Sequence, residues 1–371
     1  MFNKKGGVFI VHYKKYEIIN YRNEFFTEVV DLQKYLWPNY ESSARRYLKW
    51  KFEDNPLTKK PFAIVALYKN KVVGFNGFFA TRWRIGNKND KILMLSPADI
   101  CVHPDHRKKG LFTAMTMLAA EEYEKTPYKA FIGLSINTSS GAGYKKMGWP
   151  KIADRTSLRQ HNLIGLINWF LISKTGRGFY KHQISYGKFG NIEISNKSKP
   201  ERMAAVIVKQ KPPDNKIALF KDASFFKWRF QNIRRSYTFY YHLNNRIIDG
   251  YVVIETADKS TSGHIVDYAE TENGVIYELL RYVIAKKHFD ILSVWNINLR
   301  KDIYRTLKNL NFSRKNLLGK IEKKFPSEFP MLPVFVRPVK KTVKEEDWFI
   351  EGIDIRNINN WEINGICSDN T

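Results

Sequence analysis

The segment Tyr47-Leu-Lys-Trp50-Lys-Phe52-Glu-Asp-Asn resembles Phe226-Lys-Trp228-Arg-Phe230-Gln-Asn, and the elements after each copy keep the same order. Each is succeeded by an apolar strand pattern, a short polar turn and a second strand: Phe62–Tyr68, then Lys69-Asn70-Lys71, then 72–79 in the first; 237–243, then Asn244-Asn245-Arg246, then Ile247–Thr256 in the second. Trp50 precedes Gly74 by 24 residues, and Trp228 precedes Gly250 by 22. The parallel continues through a strand containing an Asp (96–102 with Asp99; 262–269 with Asp267) and a stretch with helical spacing (111–125; 274–287). A buried strand (130–136; 290–297) and a short helix closing on an aromatic residue (144–149; 304–312) complete each copy. A match over six elements in order predicts two copies of one α/β unit.

Composition narrows the class. With 43% hydrophobic and 15% aromatic residues the chain can bury a sizeable core, which excludes intrinsic disorder. Two cysteines, Cys101 and Cys367, exclude a disulfide framework and a cysteine-based zinc site, and no metal is expected. No stretch approaches the roughly 18–20 apolar residues of a membrane span, and the run after Lys4-Lys5 is too short for a signal sequence, so a cytoplasmic location is expected. The net charge of +26 points to a polyanionic partner or to compositional bias, since lysine outnumbers arginine about two to one. Between the copies, 159–200 contains the apolar run 163–172 flanked by Arg159, His161, Lys174, Arg177 and Lys181. A helix packed between domains is the expectation; a peripheral contact with the inner membrane face is the alternative.

The segment with the most chemical information is Leu95-Ser-Pro-Ala-Asp-Ile-Cys-Val-His-Pro-Asp-His-Arg-Lys-Lys-Gly-Leu-Phe-Thr-Ala-Met115. A strand ends at Val102, a basic turn runs through Arg107-Lys108-Lys109-Gly110, and an apolar helix begins. Free backbone N–H groups, a helix N-terminus and several cations would then converge on one point, an arrangement suited to a pyrophosphate. Downstream, Ile132-Gly-Leu-Ser-Ile136 ends in Asn137, and Tyr144-Lys-Lys-Met-Gly-Trp149 starts seven residues later.

These two segments together resemble motifs A and B of the GNAT superfamily of N-acetyltransferases. The family signature is a strand, then Arg/Gln-x-x-Gly-x-Gly/Ala opening a helix, then a strand, an Asn and a Tyr-x-Lys-x-Gly-Phe. Here it reads Arg107-Lys-Lys-Gly110-Leu-Phe112, Asn137 and Tyr144-Lys-Lys-Met-Gly148-Trp149, over roughly residues 60–155. Phe112 departs from the small residue of the family pattern. The duplication is similar to tandem acetyltransferases, including Eis-like enzymes and those of surface-polysaccharide clusters. The resemblance implies a fold of two tandem GNAT-like α/β domains, each a mixed, mostly antiparallel sheet flanked by helices, with the second copy degenerate. The expected division is 1–158 for the first domain, 159–200 for the apolar helix and linker, 201–338 for the second domain, and 339–371 for a docked tail.

The resemblance also implies roles. Acetyl-CoA, or another short acyl-CoA, would be the co-substrate. The strand backbone at Ile100, Cys101 and Val102 would bond its pantetheine, the amides of Arg107, Lys108, Lys109, Gly110, Leu111 and Phe112 would hold its pyrophosphate, and Asn137 would contact the pantetheine arm. Tyr144 would protonate the departing thiolate. The base that deprotonates the amine stays open among Asp99, His103, His106 and a water chain; Asp99 is singled out because a carboxylate in an apolar strand is costly without a partner. In the second copy Glu270-Thr-Glu-Asn-Gly274 replaces the basic loop, and its carboxylates would repel a pyrophosphate. That copy is expected to wall the acceptor site, with Trp228, Trp295 and Tyr240 either stacking on a ligand or lying in the core. A small-molecule amine, an amino sugar or sugar nucleotide, is the expected acceptor, with no nucleic acid as main partner. The rivals are a FemX-like aminoacyl-tRNA-dependent transferase, which predicts a degenerate loop in both halves, and a non-catalytic CoA-binding module.

Overall fold

The computed structural model describes residues 2–5, 8–38, 41–86, 91–175, 184–210, 215–257, 260–314 and 332–369. Both copies of the repeat fold as α/β units. The first sheet runs β1 (Phe2–Lys5), β2 (Val8–Tyr13), β3 (Tyr16–Asn20), β4 (Phe62–Tyr68), β5 (Lys71–Ile85), β6 (Lys91–Val102) and β7 (Tyr128–Gly133) in spatial order. On it lie α1 (Phe26–Leu32) and α2 (Glu41–Leu48), then α3 (Leu111–Tyr123) and α4 (Thr138–Lys146). β8 (Lys151–Arg155) and β9 (Ser157–His161) follow, and then α5 (Leu163–Thr175).

The second unit contains β10 (Gly187–Phe189), β11 (Ile192–Ser195), α6 (Pro200–Lys209), β12 (Ile217–Leu219) and α7 (Ala223–Arg229). It continues with β13 (Ser236–Asn244), β14 (Ile247–Thr256), β15 (Ser262–Glu270), α8 (Val275–Ala285), β16 (Ile291–Trp295), α9 (Lys301–Asn309) and β17 (Leu332–Pro338). The predicted turns at 69–71 and 244–246 are both hairpins in which successive residues take positive φ (Lys69 and Asn70; Asn245 and Arg246), matching the twist of the strands they join.

The sheets do not follow the division by residue range. β9 leaves the first half and pairs antiparallel with β16, while β17, from the second half, inserts between β7 and β8. β12, also from the second half, pairs with β5, so the first half gives one strand to the second sheet and the second half gives β12 and β17 to the first. Without the exchange, β7 and β16 would each present an unpaired edge. Local periodicity shows that a strand exists but not which sheet receives it.

The repeat signature lies where the halves meet. Trp50 and Trp228 stack at 5.3 Å with planes 15° apart, and each indole N–H donates to the other's backbone carbonyl at 2.7 Å. Both are buried, as are Tyr240 and Trp295, so the rings considered for ligand stacking are core. Among the described residues after 338, Trp361 is fully buried and meets Trp83 edge-on, and Trp361–Glu362 pairs with β12. α5 packs on the second unit, with Gly165 against the Asp290 backbone and Asn168 Nδ2 donating to Asp290 Oδ2 at 2.9 Å. Ile167 and Phe170 of α5 face outward, and no described helix is long and apolar enough to cross a membrane.

Candidate active site

The opening is built into the strands. β6 and β7 pair in parallel only at Leu93–Tyr128, Met94–Ala130 and Leu95–Phe131; beyond Leu95, β6 continues to Val102 on β5 alone. Its edge over 96–102 is thus free of sheet partners on the β7 side. A β-bulge opposite Asn76 accompanies the parting, with Asp99 at φ +52°.

At the end of β6 the chain turns through His103-Pro104-Asp105-His106 into the basic loop. Lys108 and Gly110 take positive φ (+57° and +85°), and Gly110 caps α3 without a side-chain bond. The first α3 bond at this end is Ala114 N–H to Gly110 C=O, which leaves the amides of 111–113 without intrahelical acceptors. They face a cleft of about 430 Å³ lined by Val102, His106, Arg107, Lys108, Gly110, Leu111, Phe112 and Thr113, and by Ser139, Ala142, Gly143 and Lys146 of α4. Helix N-terminus, free amides and cations converge on this cleft. Gly110 is required twice: its φ is left-handed, and a Cβ there would lie 2.3 Å from Tyr13 Oη. Arg107 Nε donates to Val102 O at 3.0 Å and Lys109 Nζ to Asp105 O at 2.6 Å, bonds that stiffen the loop from within.

Phe112, the departure from the family pattern, has a compensation. Its ring meets Tyr144 edge-on at 5.0 Å and fills the space that a side chain at 143 would need: a Cβ on Gly143 would lie 2.3 Å from Phe112. Gly143→Ala is therefore expected to cost about 1–3 kcal/mol by overpacking. In a Phe112→Ala background the same change should be near neutral. Urea titrations of the four proteins measure this, and an equal cost in both backgrounds would refute the pairing.

The other predicted residues divide. Ile100 and Val102 are half-buried on the free edge, while Cys101 is buried, donates to Leu32 O at 3.4 Å and has its thiol pushed up to about 12 by burial. Asn137 caps α4, its Oδ1 accepting from Ser140 N at 2.8 Å. Tyr144 is buried among Phe112, Trp149 and Phe335, and burial raises its phenol; it is not among the cleft-lining residues. Asp99 is buried on the face opposite α3, its Oδ2 2.5 Å from Lys51 Nζ and its Oδ1 accepting from Trp37 Nε1 at 3.0 Å. His103 and His106 bond Tyr35 and Tyr16 hydroxyls, each at 3.0 Å. Burial, then Lys109, lowers the His106 pKa.

Several residues at the site escape sequence reasoning. Lys51, fully buried, also pairs with Asp369, whose carboxylate accepts from the Tyr47 hydroxyl at 3.0 Å. Ser368 Oγ meets Ser135 Oγ at 2.5 Å at the end of β7, and Arg229 Nη2 donates to Ser368 O at 2.7 Å. The residues 368–369 thus sit beside the gap between β6 and β7. A signal existed for the cations alone: Lys51 and Arg229 occupy equivalent places in the repeat.

The second copy fills its own cradle. Gly274 caps α8 at φ +103°, and the Glu270 carboxylate accepts from Ile276 N at 2.8 Å where the first copy leaves amides free. An internal anion thus occupies the α8 N-terminus. Among the described residues no group of His, Cys, Asp and Glu is placed to hold a metal.

Residues 17–152 match the family described as Acetyltransferase (GNAT) domain. No curated protein matches the chain. Among solved structures, a GCN5-related N-acetyltransferase from Anabaena variabilis superposes with a TM-score of 0.56 at 12% identity, covering 88% of this chain and 73% of that one. A conserved protein of unknown function from Enterococcus faecalis gives 0.56 at 11% identity, with 88% and 72% covered. A GCN5-related N-acetyltransferase from Kribbella flavida gives 0.52 at 9%, with 87% and 71% covered. At these identities the likeness is one of fold.

Proposed function

With a GNAT acetyltransferase domain in residues 17–152 as premise, we propose that the chain transfers an acetyl or other short acyl group from acyl-CoA directly to a small-molecule amine. One observation carries this reading: the open cradle of the first copy, beside a strand edge freed by the parting of β6 and β7. The fit to a pyrophosphate is good, because the amides of 111–113, the αL turn at Gly110, and Arg107, Lys108 and Lys146 meet at the cleft. Acyl-CoA would supply a thioester: the amine nitrogen bonds to its acyl carbon, the carbon–sulfur bond breaks with its electron pair on sulfur, and the proton lost by the amine ends on that sulfur as free CoA thiol.

The chain's own residues prepare that exchange. The loop amides and cations anchor the phosphates, and the free edge at Ile100, Cys101 and Val102 offers backbone groups to the pantetheine. A backbone N–H near Val102 holds the developing oxyanion, a donor fixed in place before reaction. Asn137 keeps its Nδ2 available for the same arm while Oδ1 caps α4. Asp99 acts as a positioning residue, its bond to Lys51 fixing the bulge on the acceptor side of the gap. Tyr144 supports the Phe112 wall of the cleft. An amino sugar or sugar nucleotide is the favoured acceptor, on the resemblance to polysaccharide-cluster enzymes.

Calorimetry with acetyl-CoA tests the reading. Wild type should bind, and Arg107→Glu/Gly110→Trp should lose at least about a hundredfold in affinity, through charge reversal at the phosphates and a side chain forced into an αL position beside Tyr13. Absence of wild-type binding would sink the proposal.

A further inference from the structure

The cleft explains only part of the positive charge gathered at this end of the first sheet. The turns β2–β3 and β4–β5 lie beside the β6–α3 loop: Tyr13 Oη abuts Gly110, and the His106 ring sits 5.7 Å from Tyr16 and 5.1 Å from Tyr68. These turns carry Lys14, Lys15, Lys69 and Lys71, and α4 adds Lys145 outside the cleft. All five are exposed, and none forms an ion pair among the described residues. Lys14, Lys15 and Lys69 stand over tyrosine rings at 4.8–5.6 Å, which keeps their ammonium groups at the surface. Asp105, 83% exposed at its side chain, is the one carboxylate of the loop itself. Four other cations, Lys51, Lys199, Lys221 and Arg356, meet carboxylates.

A pantetheine thioester reaches such a cleft in two chemical forms, on a nucleotide or on a serine of an acidic carrier protein. A nucleotide's phosphates are matched by the cations inside the cleft. The five outer lysines extend past it over two neighbouring turns and a helix, an area that suits a protein face. Resting on the acyl-transfer reading above, we infer that an acidic acyl carrier protein docks on this rim and delivers its pantetheine arm into the cleft between α3 and α4. Charge complementarity of this kind chiefly raises association rate and selects the partner. It is screened as ionic strength rises, because the lysines are exposed.

The test measures binding of a fluorescently labelled acidic carrier protein, in its holo form with the arm and its apo form without, alongside CoA by calorimetry. The wild type should hold the holo form more tightly than the apo form at low salt and release both at about 0.5 M salt. Lys14→Glu/Lys15→Glu/Lys145→Glu should weaken holo binding by about tenfold or more while CoA affinity stays within about twofold. That unchanged CoA affinity also reports an intact fold, and Lys69→Glu/Lys71→Glu gives a second, independent reversal should the first misfold. No carrier binding at low salt, equal binding of holo and apo forms, indifference to both reversals, or tighter binding of an RNA hairpin or anionic vesicles would each overturn the inference. Failure of CoA itself to bind the wild type would instead sink the acyl-CoA reading.

Discussion

Lys51→Met is expected to lower folding stability by about 3–5 kcal/mol at neutral pH, the cost of leaving buried carboxylates without their cation. Lys51 is fully buried, and its ammonium is shared by Asp99 and Asp369. Burial works against its charge, but Asp369 and then Asp99 outweigh that and raise its pKa. For Asp369 burial likewise favours the neutral acid, and Lys51, by charge and hydrogen bond, overcomes it and lowers the pKa. A depressed carboxylate contributes stability above its unfolded pKa of about 3.9, lost as pH falls through the folded value. A raised lysine contributes stability below about pH 10.4, lost as pH rises through its folded value. The gap between wild type and variant should therefore be widest between about pH 5 and 9 and should narrow below pH 4. Urea denaturation across that range measures it. A loss under about 1 kcal/mol at pH 7 would mean that the carboxylates find other partners.

The ion triad also marks what a sequence can and cannot reveal. The basic loop at 107–110, the helix after it and Asn137 are local features; the loop and the start of the helix line one cleft, while Asn137 caps α4 beside it. The repeat is legible for the same reason, since each copy keeps its own order of strands and helices. Asp99 is visible as an oddity in an apolar strand, but its partners Lys51 and Trp37 come from 48 and 62 residues upstream. Nothing in the pattern around Asp369 distinguishes it from a surface residue. The exchange of β9 and β17 is hidden likewise, because strand pairing depends on long-range edges that a period of two does not encode. Tyr144 shows the converse. Its place in a motif implies chemistry, while its surroundings are aromatic packing.

Trp228→Ala should be as damaging as the lysine change, at about 3–5 kcal/mol, because a large buried side chain is removed and a cavity is left. The loss falls on both domains. Trp228 supplies one of two reciprocal indole bonds, so its removal also strips the Trp50 carbonyl of a donor deep in the interface. Two features argue that the halves unfold together: the stacked tryptophans, and the strands that each repeat contributes to the other's sheet. Scanning calorimetry of the wild type should accordingly give one transition, and Trp228→Ala should shift that transition as a whole without splitting it. Trp50→Phe and Trp228→Phe keep a ring and delete one N–H each. Each bond should be worth about 0.5–1.5 kcal/mol, and the double variant should lose less than the sum of the singles by about 0.5 kcal/mol or more, since the two rings are in contact. Two separate transitions in the wild type would show that the domains are energetically independent despite the exchanged strands, and strict additivity of the phenylalanine variants would show that the two bonds are not one interlocked unit.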